Sequence, residues 1–252
     1  MYLLLSGEGK SDIGVCSLAL DECDGENFEP GPMSWIVDQL IERIQGYDFS
    51  HIRMECVGYV SESYLAKNKP SLVKSKRSTA LPGKKKPIET KYYYENARAL
   101  AVVAKTKITQ INNVVIAVLF RDADGTASAG RGEWAHKIQS IKAGFAIEDF
   151  EYGIAMMPKP KSEAWLLCAL KENPYQHCQQ LEDLSGNDNS QKSLKSKLSD
   201  VLEGHDSTAQ LNDLVHKRQI DIDRIDMNSF DVFKANLEDV VRKARCWKPK
   251  EQ

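Results

Sequence analysis

The segment 113–120, Asn-Val-Val-Ile-Ala-Val-Leu-Phe, constrains the fold of this chain more than any other feature of its sequence. Apolar and polar residues do not alternate in it, so a strand formed from this segment must be covered on both faces. Such strands are typical of the centre of a parallel sheet whose strands are connected through helices. The segment therefore predicts an α/β fold.

The rest of the chain carries matching signals. Strand-like apolar runs occupy residues 2–5, 52–60 and 152–157, and helical periodicity occupies residues 33–44, 92–105, 133–143 and 162–170. We expect residues 1–171 to form a parallel sheet of about four strands flanked by helices. Residues 172–252 are expected to form a helical C-terminal extension, with helices over 193–202, 207–215 and 229–244. Serines at positions 34, 162 and 229 are candidate helix caps.

Composition excludes several classes of protein. With 42% hydrophobic and 28% charged residues, the 252-residue chain can build a core and is not disordered. No apolar run approaches the ~18 residues that a membrane span requires. The six cysteines are scattered without a Cys-x-x-Cys motif, which favours reduced, mostly buried thiols. The chain is thus expected to be soluble and cytoplasmic, with no membrane partner.

The charge distribution is strongly uneven. The net charge is −2, but residues 67–91 carry nine basic residues against Glu89 alone, so this segment is +8 and the remainder −10. Three prolines and a glycine in the segment oppose a regular element. We interpret it as a basic loop inserted into the domain. It is either a solvated loop or a phosphate-backbone contact made through Lys84, Lys85 and Lys86.

Acidic residues follow three of the predicted strands. Glu8 and Asp12 follow the first, Asp122 and Asp124 the third, and Glu163 the fourth. In parallel sheets the chemistry lies beyond the carboxyl ends of the strands, so these side chains are expected to converge. Carboxylate oxygens suit Mg²⁺ or Mn²⁺, and a divalent ion relieves the mutual repulsion of converging carboxylates.

Basic residues accompany this edge. Gly7 and Gly9 allow a tight turn around Glu8. Glu8 is placed as a general base or metal ligand, and Lys10 is placed as a phosphate contact. Lys159 and Lys161 are predicted at the mouth of the site. Arg121 is either a phosphate contact or an ordinary ion-pair partner.

Three short motifs carry a resemblance to a known family. Glu8-Gly9-Lys10-Ser11-Asp12 and Asp122-Ala123-Asp124 resemble the two acidic motifs of the Toprim domain of topoisomerases, primases and OLD-type nucleases. The segment 160–167, Pro-Lys-Ser-Glu-Ala-Trp-Leu-Leu, resembles a signature of small stand-alone bacterial Toprim-like proteins, which often belong to phage-defence or mobile-element loci.

The resemblance implies Mg²⁺- or Mn²⁺-dependent cleavage of phosphodiester bonds. Glu8, Asp122 and Asp124 would be catalytic, Glu163 would complete the metal shell, and Asp12 would support them. Because no tyrosine is marked as an attacking nucleophile, a nuclease fits better than a topoisomerase. The implied partners are DNA or RNA, an ATPase partner protein and a second copy of the chain.

Two other functions compete with this one. The segment around Asp122 also resembles the first motif of haloacid-dehalogenase-type phosphatases, in which Asp122 would be the nucleophile and Asp124 the acid–base residue. A non-catalytic subunit that binds nucleic acid or a protein partner is the third possibility.

Overall fold

A computed structural model of the chain describes residues 1–9, 11–71, 88–123, 131–173, 177–188, 190 and 193–249. The strands are, in chain order, Tyr2–Gly7 (β1), Gly14–Cys16 (β2), Glu22–Asp24 (β3), Phe28–Pro30 (β4), Val57–Ser61 (β5), Val115–Phe120 (β6) and Gly153–Met156 (β7). The α-helices are Pro32–Gln45 (α1), Glu62–Lys67 (α2), Ile88–Ile111 (α3), Arg131–Ile147 (α4), Ser162–Leu170 (α5), Leu194–Val201 (α6), Thr208–His216 (α7) and Asn228–Arg245 (α8).

The central sheet has five strands in the order β3, β5, β1, β6 and β7. The four predicted strands are all present and pair in parallel. The expectation of a purely parallel sheet of about four strands needs correction, because β3 adds an antiparallel edge on β5. This strand has only three residues, two of them acidic, so it carries no periodic apolar signal. The α/β class itself is confirmed.

The burial of β6 on both faces explains why its apolar run is continuous. All six residues of β6 are buried. Val118 lies in the hydrophobic cluster shared with α1, whereas Leu119 lies in the cluster shared with α3. Both faces of the sheet are therefore covered, as the sequence predicts.

The helix starts differ from the prediction at two serines. Helix α1 begins at Pro32 after Gly31, and the buried Ser34 hydroxyl donates a hydrogen bond to the carbonyl oxygen of Ile13 instead of capping the helix. Ser229 likewise lies inside α8, where its hydroxyl oxygen accepts a hydrogen bond from Nε1 of Trp165. Both serines are buried, so their hydroxyls bond to tertiary partners.

The C-terminal helices pack against the sheet domain. Ser193 and Ser207 cap α6 and α7 through their side chains. Nε2 of Gln39 on α1 donates to the carbonyl oxygen of Val215 on α7, at 2.7 Å. Helix α8 contributes Phe230 to the same hydrophobic cluster that contains α1 and α5.

Four of the six cysteines are paired in the structure. Cys16 bonds to Cys23 and Cys168 bonds to Cys178, with Cα atoms 5.7 and 5.5 Å apart. The expectation of reduced thiols was therefore wrong for these four, because the fold brings them within disulfide range. Among the described residues, no helix is long and apolar enough to cross a membrane.

Candidate active site

The carboxyl ends of β1, β6 and β7 lie side by side. Gly7 at the end of β1 is in register with Phe120 at the end of β6, which is in register with Met156 of β7. The pairing continues beyond the strands, since Ala123 donates a backbone hydrogen bond to the carbonyl oxygen of Pro158 at 3.1 Å. The segments that carry the predicted carboxylates therefore leave the sheet at one edge.

The turn after β1 is fixed on the start of α1. Gly9 has a φ of +81°, which favours glycine, and its carbonyl oxygen accepts a hydrogen bond from the backbone N–H of Asp12 at 3.3 Å. The carbonyl oxygen of Asp12 in turn accepts from the N–H of Met33 at 2.9 Å. A Cβ atom on Gly31 would lie 2.1 Å from the Asp12 carbonyl oxygen, so only glycine fits there. This packing fixes the backbone of Asp12, whose side chain accepts a hydrogen bond from the Ser162 hydroxyl.

Ser162 joins two of the predicted acidic segments. Its backbone N–H donates to Oδ1 of Asp122 at 3.0 Å, and its hydroxyl donates to Oδ1 of Asp12. Ser162 is 1% exposed. The expectation that it caps α5 was wrong, because Lys161 occupies that position and the Ser162 hydroxyl bonds to Asp12. Ser162 is therefore a site residue that sequence reasoning had assigned to helix capping alone.

Glu163 places a third carboxylate beside this link. Its Oε2 atom is buried and has no hydrogen-bond partner among the described residues. Burial raises the pKa of Glu163, and the nearby charge of Asp12 raises it further. Burial also raises the pKa of Asp12, against the hydrogen bonds from Ser162 and Ser11 that lower it. The site therefore concentrates negative charge in a partly desolvated place, which is the environment a divalent cation stabilises.

We expect Glu163→Gln to raise the free energy of unfolding at neutral pH, measured by urea denaturation without divalent ions. A carboxyl with a raised folded-state pKa contributes stability below its ordinary pKa, and that contribution is lost as pH rises through the folded-state value. The wild type should consequently gain stability between neutral and mildly acidic pH, and Glu163→Gln should gain less. If the free energy of unfolding depends on pH equally in the two proteins, the pKa of Glu163 is not raised by folding.

The basic residues at the mouth are already engaged with acids. Nζ of Lys161 lies 2.9 Å from Oδ2 of Asp188, and Nζ of Lys159 lies 3.9 Å from Oε2 of Glu182. Glu8 is exposed at the edge of the sheet. The charge of Lys161 also acts on Asp12, against the rise in its pKa, and substrate phosphates would compete with Asp188 and Glu182 for the two lysines.

Several predicted site residues lie outside the described part of the chain. They are Lys10, Lys84, Lys85, Lys86 and Asp124. Most of the predicted basic loop, residues 72–87, is also outside it. In the described ranges, no group of three or more His, Cys, Asp or Glu side chains is arranged to hold a metal ion. Ser162 connects Asp12 and Asp122, the charge of Asp12 acts on Glu163, and Glu8 is exposed directly after β1.

We compared the chain with protein-family models, with curated protein sequences and with solved structures. None of the three comparisons found a match.

Proposed function

We propose that the chain is a Mg²⁺- or Mn²⁺-dependent phosphoryl-transfer enzyme that cleaves phosphodiester bonds in nucleic acid. The observation that carries the proposal is the link through Ser162, which holds Asp12 and Asp122 together beside the buried Glu163 carboxylate. Three acidic side chains from separate segments follow the carboxyl ends of the parallel strands β1, β6 and β7, the usual place for chemistry in such folds. We also propose that residues 1–171 form a Toprim-like domain, as the sequence motifs imply, and that residues 172–252 form a helical extension of it.

The donor chemistry of this edge suits a hard divalent cation. The side chains that could bind a cation there are carboxylates. Oε2 of Glu163 is buried and accepts no hydrogen bond from the described residues. Glu8, Asp122, Asp124 and Glu163 are the residues that would hold the ion. When bound, it would polarise the scissile phosphate and lower the pKa of an attacking water.

The chain's own residues divide the remaining work. Glu8 is exposed, so its carboxylate can reach a water at the substrate and accept its proton. Ser162 fixes the orientations of Asp12 and Asp122, which keeps the acidic group preorganised. Lys159 and Lys161 supply positive charge where a phosphate backbone would enter.

The proposal has a biological part that rests on the resemblance alone. We propose from this resemblance a bacterial phage-defence context, an ATPase partner protein and a homo-oligomer. We also propose a cytoplasmic location, because no apolar run of the sequence approaches the ~18 residues of a membrane span.

A cleavage assay tests the proposed activity. Purified protein is incubated with single- and double-stranded DNA and RNA in Mg²⁺ or Mn²⁺, with EDTA as the control. We expect metal-dependent cleavage of at least one of these polymers. Hydrolysis of a phosphomonoester without polymer cleavage would instead favour the phosphatase that uses Asp122 as nucleophile, and inactivity towards every substrate would favour the binding subunit.

A further inference from the structure

A second set of polar groups lies on the other face of the same sheet edge. Ser6, Asn96 and Arg121 are each 0% exposed. The Ser6 hydroxyl, both side-chain amide atoms of Asn96, and Nε and Nη2 of Arg121 have no hydrogen-bond partner among the described residues. More than about 90% of buried polar groups in proteins are paired, so five unpaired atoms on three side chains require an explanation.

Strand geometry places Ser6 and Arg121 on one face. Leu4 of β1 and Leu119 of β6 both belong to the hydrophobic cluster shared with α3. Alternate residues of a strand share a face, so Ser6, two residues after Leu4, points to the α3 side. Arg121 follows Leu119 by two residues, and its N–H continues the pairing with the carbonyl oxygen of Met156 at 3.0 Å. Arg121 is therefore on the α3 side as well.

The start of helix α3 lies against Arg121. The guanidinium carbon of Arg121 lies 5.7 Å from the centre of the Tyr92 ring, near the start of α3. Asn96 follows Tyr92 by one turn, about 6 Å along the helix axis. Its neighbour Ala97 packs on α4, since a Cβ atom on Gly144 would lie 2.7 Å from the Cβ atom of Ala97. Asn96 is fully buried one turn further along α3 than Tyr92, the residue that contacts the guanidinium.

The unpaired atoms include two nitrogen donors, Nε and Nη2, of one positively charged guanidinium. Nη2 of Arg121 lies 3.6 Å from Oε2 of Glu62, too far for a hydrogen bond. The Glu62 side chain is 38% exposed, whereas that of Arg121 is fully buried. Glu62 is therefore a loosely held carboxylate between a buried cation and the solvent. The charge of Glu8 also acts on Arg121. A guanidinium whose Nε and Nη2 are unpaired among the described residues matches the oxygens of a phosphate better than a carboxylate 3.6 Å away does.

We propose that Arg121, Asn96 and Ser6 form a phosphate-binding pocket, and that Glu62 occupies its entrance until a phosphate displaces it. The pocket deepens the proposed function and rests on it for the substrate class. Arg121 directly precedes Asp122, so a phosphate held by Arg121 neighbours the one that is cleaved. The preferred substrate would accordingly be a strand with consecutive phosphates rather than a single phosphomonoester.

Phosphate binding without metal tests the pocket independently of cleavage. Inorganic phosphate is titrated calorimetrically into the full chain in EDTA. We expect saturable binding by the wild type and binding weakened about tenfold or more in Arg121→Lys, because a lysine cannot replace the two unpaired guanidinium positions. Glu62→Ala removes the competing carboxylate, so it should tighten binding several-fold. Arg98→Lys is the matched control, since Arg98 is buried but already bonded to Glu148 at 2.6 Å and to the carbonyl oxygen of Ser71 at 3.0 Å.

The outcomes separate this pocket from the proposed activity. Absence of phosphate binding by a folded wild type, or weaker binding in Glu62→Ala, would overturn the pocket even if the chain cleaves nucleic acid. Arg121-dependent phosphate binding without any cleavage would support the pocket and count against the nuclease. Repeating the titration with a 5′-phosphorylated dinucleotide distinguishes the source of the phosphate. If the dinucleotide binds more tightly than inorganic phosphate and this difference is lost in Arg121→Lys, a nucleic-acid strand is supported. If the dinucleotide binds no more tightly than inorganic phosphate, that substrate class is overturned. Thermal melting of each variant identifies any loss of folding, and Glu62→Ala keeps the test decisive if Arg121→Lys does not fold.

Discussion

Replacing Glu8 by glutamine should lower the rate of metal-dependent nucleic-acid cleavage by a factor of about 10²–10⁴. Glutamine keeps the size of the side chain but can neither accept the proton of an attacking water nor offer a charged oxygen to a cation. Because Glu8 is exposed at the end of β1, the fold should be unchanged. Initial cleavage rates at saturating Mg²⁺ and a thermal melt of each protein are the measurements.

Glu26→Gln provides the matched control for this experiment. Glu26 is also an exposed glutamate, in the short helical turn Gly25–Asn27 before β4. The substitution Glu26→Gln removes the same charge from the protein as Glu8→Gln does. We expect it to cleave at the wild-type rate. Full activity in Glu8→Gln would contradict the nuclease mechanism. If phosphomonoester hydrolysis then depended on Asp122 alone, the phosphatase mechanism would be favoured.

Replacing Trp165 by alanine should lower the free energy of unfolding by about 3–5 kcal/mol. The side chain is 0% exposed, and its ring lies against Phe230 and Phe233 of α8 at centroid distances of 5.0 and 5.8 Å. Its Nε1 donates to the Ser229 hydroxyl at 2.9 Å. The substitution removes all of these contacts between α5 and α8. Urea denaturation followed by far-ultraviolet circular dichroism measures the loss.

Two further variants show what the tryptophan contributes. Trp165→Phe keeps an aromatic ring and loses the hydrogen bond, so its loss should be smaller. Trp247→Ala removes a partly buried tryptophan at the edge of the same cluster and should cost less than Trp165→Ala. Unchanged stability in Trp165→Ala together with lost cleavage would show that this tryptophan acts in the site rather than in the core.

The sequence predicted the fold wherever apolar periodicity was strong. The buried run in β6 and the stripe of α1 led to the correct elements, because burial on one or both faces leaves a direct pattern in the residues. The edge strand β3 was missed, since three residues with two acids resemble a turn. The disulfide pairs were missed because they depend on which loops the fold brings together, such as those carrying Cys168 and Cys178.

The candidate site was predictable in its acidic residues and not in the groups that hold them. Glu8, Asp122 and Glu163 follow strands, and strand order alone predicts that they share an edge. The role of Ser162 depends on where Asp12 lies after the turn that follows β1, which no local pattern specifies. Asn96 likewise appears as one polar residue on an apolar helix face, and its relation to Arg121 emerges only when α3 packs on the sheet.

Direct titration with Mn²⁺ tests the central claim most closely, that the carboxylates at this edge form a divalent-cation site. Electron paramagnetic resonance of free Mn²⁺ measures binding by the wild type, by Asp122→Asn and by the Glu26→Gln control. We predict saturable binding by the wild type and the control, and binding weakened at least about tenfold in Asp122→Asn, because a ligand charge is lost. Equal Mn²⁺ binding by wild type and Asp122→Asn, or no binding by either, would contradict the claim.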